Sequence, residues 1–274
     1  VPNDGAEVVA RRLARCGAKV PLGVNLVETN TGIPAPAGEV MAELGEAAAA
    51  FSGVAGYLAL NLNCPNTSGG RSPFDDAAMI RELLGLLAGI PGLPPVFLKL
   101  TASSDPARRD GVLEAIDGFP VVKGIIFNLP PGIPAQGLRT PAAELARLPG
   151  TLCGPPVREL VNEAIRAWYP HLDRSRHVIV GSGGISSAEE AYEKIRLGAT
   201  LLQLYTALVF RGPGIVREIN RGLCRLLERD GFSHLSEAVG ADCVSGGRPA
   251  AGASPGPDGE RSQTMPGASR GSGG

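Results

Sequence analysis

The sequence predicts an α/β protein built as a (β/α)8 barrel of the TIM type. Six short apolar runs alternate with helical patterns along the chain, the mark of βαβ units. Polar residues close run after run, and barrels assemble their sites from many strand ends in this way. A doubly wound sheet shares the alternation but gathers its ligand signals at one switch point, and no GxGxxG follows the first run. The barrel is therefore the favoured architecture.

Strands are expected at 20–26, 57–63, 95–101, 124–128, 177–181 and 201–206. Their Val, Ile and Leu content suits parallel strands covered on both faces. Helices are expected at 5–15, 38–51, 75–87, 107–116, 156–168 and 214–229. A further helix opens at Ser186-Ser-Ala-Glu189, which reads as a capping box, and closes at Gly198. Ala191 and Ile195 share one face of it at i, i+4. The polar closures are Asn25, the cluster from Asn61 to Asn66, Lys99, Asn128, Gly183-Gly184 and Tyr205-Thr206. Residues 245–274 are mainly Gly, Pro, Ser and Ala, too poor in apolar surface to offset the entropy of ordering. They are expected to form a disordered tail behind a folded domain at 1–244.

Composition narrows the function. The 274 residues suffice for one large α/β domain or two small ones, and 43% are hydrophobic, enough for a sizeable core. A net charge of −1 gives no electrostatic case for nucleic acid. The basic residues are 22 Arg and only four Lys: Lys19, Lys99, Lys123 and Lys194. Five widely spaced cysteines form no CxxC, so neither a zinc site nor a disulfide framework is indicated, and reduced thiols in a cytoplasmic compartment are expected. His171, His177 and His234 show no ligand spacing, and no metal is expected. No run is long and apolar enough to cross a membrane, and no signal peptide is evident. The chain begins with Val1 rather than Met, which points to an alternative start codon or an incomplete N-terminus.

The chemistry concentrates in Leu58-Ala-Leu-Asn-Leu-Asn-Cys-Pro-Asn-Thr67. Asn is depleted in strands, and buried amides require hydrogen-bond partners. A small planar polar ligand across the strand end would provide them; the alternative is a strand followed by an ordinary Asn-Pro-Asn turn. Val178-Ile-Val-Gly-Ser-Gly-Gly-Ile-Ser186 runs from a strand through a Gly-rich turn into a helix, a sequence in which bare backbone N–H groups can bind phosphate. The next strand closes on Tyr205 and Thr206, and barrels frequently build phosphate sites from such consecutive loops. The glycines could equally serve turn geometry alone. Lys99 lies near a strand end, where its ammonium can meet an electron-rich ligand atom or snorkel to solvent. Cys64 is either a small buried hydrophobe or a general acid/base, since a thiol can abstract a proton where its surroundings favour the thiolate. Cys153 precedes Gly154-Pro155-Pro156 and can be a plain loop residue.

Taken in order, these residues resemble the dihydroorotate dehydrogenase family, FMN-dependent (β/α)8 barrels that oxidise dihydroorotate to orotate in pyrimidine biosynthesis. The resemblance runs from about Asn3 to Val244. It is strongest over Gly23-Val-Asn-Leu26, Asn61 to Thr67, residues 181–187 and Gln203-Leu-Tyr-Thr-Ala-Leu-Val-Phe-Arg-Gly-Pro213. The last of these, with Gly231-Phe and Ala238-Val-Gly-Ala-Asp242, is similar to the membrane-associated, quinone-using class. The resemblance implies flavin contacts at Asn25, Asn61, Lys99 and Phe127. It implies phosphate-region contacts at Gly154, Gly184, Tyr205 and Thr206, and pyrimidine contacts at Asn61, Asn66 and Asn128. Cys64 stands where the family's base takes a proton from substrate C5 while a hydride leaves C6. A quinone acceptor and peripheral attachment to the inner face of the cell membrane are further implications.

Several positions depart from the pattern. The quinone-using class usually has Ser where Cys64 stands. Phe127 and Leu129 replace Thr residues, Cys153 replaces a Ser, and Pro2 replaces an Asn. The family's first two barrel strands precede the region matched by Val1, so six strands are expected here, with any membrane-associating segment also upstream. Two alternatives to an intact enzyme follow: an inactive truncated remnant with weak or no FMN binding, and a flavin oxidoreductase for another pyrimidine.

Overall fold

A computed structural model describes residues 3–65, 72–129, 138–148 and 150–243. In chain order the elements begin with α1 (Ala6–Leu13), β1 (Gly23–Leu26), α2 (Ala37–Ala50), β2 (Tyr57–Asn61), α3 (Ala77–Ala88) and β3 (Val96–Thr101). Next come α4 (Pro106–Ile116), β4 (Val122–Asn128), α5 (Ala142–Leu145), α6 (Arg158–Trp168) and β5 (Val178–Gly181). The series closes with α7 (Ala188–Arg196), β6 (Ala199–Leu202), α8 (Thr206–Arg211), α9 (Gly214–Asp230) and α10 (Leu235–Ala238).

The six strands form one parallel sheet in the order β1-β2-β3-β4-β5-β6. Sequential order with parallel neighbours is the order of a barrel wall, and here it is a partial (β/α)8 barrel. Among the described residues β1 and β6 each pair on one side only, so the sheet does not close on itself.

Strand periodicity divides the sheet into two faces. Leu58, Leu60, Leu98, Leu100 and Ile125 join the large core with Leu83, Leu84, Leu87, Val112, Val161 and Ile165 of the surrounding helices. Ala59, Phe97, Ile126 and Val180 form a smaller apolar cluster on the opposite, concave face. A third cluster joins α7 to α9 through Ala191, Ile195, Ile215, Ile219 and Leu223. Ala191 and Ile195 do share a buried face, as their spacing predicts.

Local chemistry explains the helix starts. Asp76 caps α3 by accepting from the Ala78 N–H, and Asp105 caps α4 at Ala107 ahead of Pro106. The capping box expected at Ser186 and Glu189 does not form: Ser187 is the N-cap of α7, and Glu190 reaches back to the residue before it. Ser187 Oγ accepts from the Glu190 N–H at 3.2 Å, while the Glu190 carboxylate accepts from the Ser186 N–H at 2.7 Å. Arg158 holds that carboxylate at 2.8 Å.

Other boundaries shift for similar reasons. β2 stops at Asn61 rather than residue 63, because Leu62 and Asn63 turn. The helix expected from 156 begins at Arg158, since Pro155–Val157 forms a 3-10 turn. β6 is Ala199–Leu202 rather than 201–206: after the Gln203 N–H to Gly181 carbonyl bond, Tyr205 adopts φ −133° and ψ −61° and starts α8. Tyr205 and Thr206 thus stand at a loop and helix start, not within a strand. The tail at 245–274, Pro2 and Asn66 lie outside the described residues.

One side chain ties the helix layer to the strand ends. Trp168 is fully buried, donates its indole N–H to the Ser103 carbonyl at 2.7 Å, and meets the Phe127 ring edge-on at 5.4 Å. Trp168→Ala removes this packing and leaves the Ser103 carbonyl without its donor. It is expected to cost about 3–5 kcal/mol, read as a lower urea midpoint with unchanged slope.

Candidate active site

Register places the polar strand ends side by side. Asn61 is the neighbour of Lys99 across β2 and β3, and Thr101 is the neighbour of Asn128 across β3 and β4. Alternation puts Asn61, Lys99 and Asn128 on the concave face with Ala59, Phe97 and Ile126. Asn25 pairs with Ala59 and so shares that face, but it lies exposed on the edge strand β1.

Lys99, Phe127 and Asn128 open onto a cavity of about 420 Å³, a size suited to a small molecule or cofactor. Its other walls come from the loop at Cys153 to Pro155, the turn from Ser182 to Ser186 after β5, and the chain from Gln203 to Ala207 after β6. Sequence-expected Lys99, Phe127, Asn128, Gly154, Gly184, Tyr205 and Thr206 therefore meet in one place. Asn25, Asn61 and Cys64 are not among its lining residues. Asn61 still reaches it indirectly, because its Oδ1 accepts from Asn128 Nδ2 at 2.9 Å. Phe127 is fully buried with its ring against Trp168, so it supports the wall from the helix side. Its carbonyl accepts from Ser182 Oγ at 2.6 Å, which ties the glycine turn to β4.

Three glycines shape the far wall. Gly154, Gly183 and Gly184 have φ of 84°, 70° and 70°, a region other L-residues enter at a cost. A Cβ on Gly184 would lie 2.5 Å from Arg158 Cβ, and one on Gly154 would lie 3.1 Å from Thr206 Cγ2. Only bare backbone fits, and bare backbone is what lets N–H groups close on a phosphate. The loops suit a phosphate group, with Gly154 and Thr206 in contact range across the gap.

The electrostatics centre on Lys99. Burial pushes its ammonium below the usual lysine range, and the charge of nearby Cys64 draws it back up. Cys64 is half-buried at the β2 exit. Cys153 lies in the cavity wall itself. Among the described residues no group of His, Cys, Asp and Glu is arranged to hold a metal ion.

Sequence reasoning missed several residues. Asn63, Arg108 and Asp75 form a polar network behind Cys64; Asn63 was visible in the amide cluster, whereas Arg108 carried no signal on a helix of mixed charge. Lys194 is fully buried on α7, donating to Asn162 Oδ1 at 2.6 Å, and burial pushes it down to about 8. Its stem would lie 3.3 Å from a Cβ on Gly181, so it supports the start of the glycine turn. Its rarity among so many Arg was the available clue.

A parallel barrel wall with amides and a lysine at its strand ends, facing a glycine-lined cavity, defines the site of a barrel enzyme. The family model for dihydroorotate dehydrogenase matches residues 1–227. A dihydroorotate dehydrogenase (quinone) of Anaeromyxobacter dehalogenans is 38% identical over 259 residues, covering 91% of this chain and 68% of the relative. A protein of the same name from Natronomonas pharaonis is 36% identical over 240 residues, covering 88% of this chain and 65% of the relative. The crystal structure of a ligand-free DHODH from Eimeria tenella superposes with a TM-score of 0.71 at 22% identity, covering 87% of this chain and 71% of that one. The chain belongs to the dihydroorotate dehydrogenase family. It spans about two thirds of the length of these curated relatives.

Proposed function

We propose that this protein is an FMN-dependent dihydroorotate dehydrogenase that oxidises dihydroorotate to orotate in pyrimidine biosynthesis and passes the electrons to a quinone. Family membership and the activity for which the relatives are named support the reaction class. The observation that carries the reading is the row of Asn61, Lys99 and Asn128 beside a cavity walled by Gly154, Gly183 and Gly184.

Bound there, FMN would supply a two-electron acceptor for the hydride that leaves substrate C6. The glycine turns would hold its phosphate region, with Tyr205 and Thr206 at the same wall. The Lys99 ammonium would favour electron density gathering at the neighbouring ring edge. Asn61 and Asn128 would orient the planar pyrimidine: Asn128 Nδ2 is already engaged by Asn61 Oδ1 and the Asn63 carbonyl, so Asn128 Oδ1 and Asn61 Nδ2 are the groups left to face substrate. Cys64 would take the C5 proton. Peripheral contact with a membrane would give access to quinone; among the described residues no helix is long and apolar enough to span one.

The test is the visible spectrum of the purified chain before and after anaerobic dihydroorotate. A flavin spectrum that bleaches is the expected result. A flavin that stays oxidised would redirect the proposal to another pyrimidine, a substitution for which Leu129 in the cavity wall gives a structural reason. A folded protein that remains colourless with added FMN would overturn it.

A further inference from the structure

We propose that Asn63 and Arg108 are positioning residues that clamp the turn carrying Cys64, which is bonded to β3 through the Leu62 N–H and the Lys99 carbonyl at 3.0 Å, and so fix the place of the thiol relative to the Lys99 side chain. The inference rests on the reading of Cys64 as proton acceptor.

Asn63 is buried, and it directly precedes Cys64. Both ends of its side chain and its backbone carbonyl are engaged. Its Nδ2 donates to Asp75 Oδ1 at 2.8 Å. Its Oδ1 accepts from the Thr101 N–H at 3.4 Å and from the Arg108 guanidinium at 3.5 Å. Its carbonyl accepts from Asn128 Nδ2 at 2.8 Å. Arg108 continues the clamp from α4, donating to the Phe74 carbonyl at 2.8 Å and also to the Asp75 carbonyl. Ser72 Oγ donates to the Leu62 carbonyl on the other side of Asn63. The turn after β2 is thus fastened to β3, β4, α4 and the 3-10 turn at Pro73–Asp75.

A turn in this place could be built from an apolar residue and water-exposed backbone. Instead a connected hydrogen-bond network converges on the buried residue next to the thiol. Holding a reacting group to within a fraction of an ångström requires such support behind it. The same network reaches the amide row through Asn128, so it sets the thiol and the pyrimidine-facing amides against one another.

The test reads how near Cys64 sits to Lys99, without flavin or substrate. The intact chain is alkylated at low salt with anionic iodoacetate or neutral iodoacetamide, and the Cys64 peptide is quantified by mass spectrometry with Cys224 as internal standard. Lys99 favours the anionic reagent at a thiol held beside it. Lys99→Met is expected to lower the Cys64 iodoacetate-to-iodoacetamide ratio about three- to fivefold. Asn63→Leu, which changes no charge, is expected to lower it by a similar factor. Arg108→Lys keeps the charge but loses the fork, and should give a smaller fall in the same direction. It also provides the answer if Asn63→Leu does not fold. Combining Asn63→Leu or Arg108→Lys with Lys99→Met should produce no further fall, a non-additivity that general loosening of the fold would not produce. Native ratios in both clamp variants, or additive falls in the doubles, would overturn the inference. A chain that labels as expected but does not bleach with dihydroorotate would leave the clamp standing and remove the proposed reaction.

Discussion

Cys64→Ala is expected to leave flavin binding largely intact and to slow dihydroorotate-driven flavin reduction by about 10²-fold or more. The reasoning separates two parts of the site. The cavity is walled by residues from β3 to β6 and the loops that follow them, and Cys64 is not among them. Removing its sulfur therefore takes no group from the cavity wall. It removes the group that would accept the C5 proton, so the loss should appear in the reduction step and not in flavin content. Anaerobic stopped-flow on FMN-loaded protein reads both. Cys64→Ser should recover part of the rate, since a hydroxyl can also relay the proton. Cys153 provides the sharpest control, because it is a second thiol and it does line the cavity, with its Sγ directed 3.7 Å from the Thr151 carbonyl. Cys153→Ala should leave the reduction rate near native. Unchanged reduction in Cys64→Ala together with a slow Cys153→Ala would transfer the role to Cys153.

Much of this site was legible before the structure, for a physical reason. In a parallel barrel the strand ends are the site, so polar residues closing apolar runs mark both at once. Lys99 and Asn128 needed only the strand pattern to be placed on one face. Gly183 and Gly184 were legible because a turn with φ near 70° leaves few other residues possible. The boundaries were less legible. Tyr205 and Thr206 follow a run of apolar residues that a strand and a short helix can share equally, and only the last ladder bond at Gln203 decides between them. The helix cap moved by one residue because two serines precede two glutamates, and Arg158, distant in sequence, holds Glu190. The network behind Cys64 was legible in one member only. Arg108 and Asp75 lie 45 and 12 residues from Asn63, and no local pattern announces a side chain that reaches so far.

Gly184→Ala is expected to strip flavin from the protein, because two costs fall on the same residue. The first is conformational: at φ 70° an alanine pays roughly 1–2 kcal/mol that glycine does not. The second is steric. The new Cβ would lie 2.5 Å from Arg158 Cβ and 2.9 Å from Arg158 Cα, and the Cα belongs to the first turn of α6 and cannot swing aside as a side-chain tip would. Overpacking of this kind costs about 1–3 kcal/mol, so a stability loss of about 2–5 kcal/mol is expected in total. Relief comes most cheaply if the turn lifts off α6 into the cavity, where the phosphate would lie. Loss of even one charge-assisted hydrogen bond there is worth about 1.5–3 kcal/mol, or roughly 10- to 100-fold in FMN affinity. Gly212→Ala separates the two costs. Gly212 has φ 71° but nothing within 4 Å of a new Cβ, and it does not line the cavity. It should lose only the conformational part of the stability and retain its flavin. FMN titration followed by fluorescence, alongside urea denaturation of both variants, decides the matter. Equal flavin affinity in the two would show that the turn after β5 does not carry the phosphate, and would leave the loop at Gly154 and the chain at Thr206 to hold it alone.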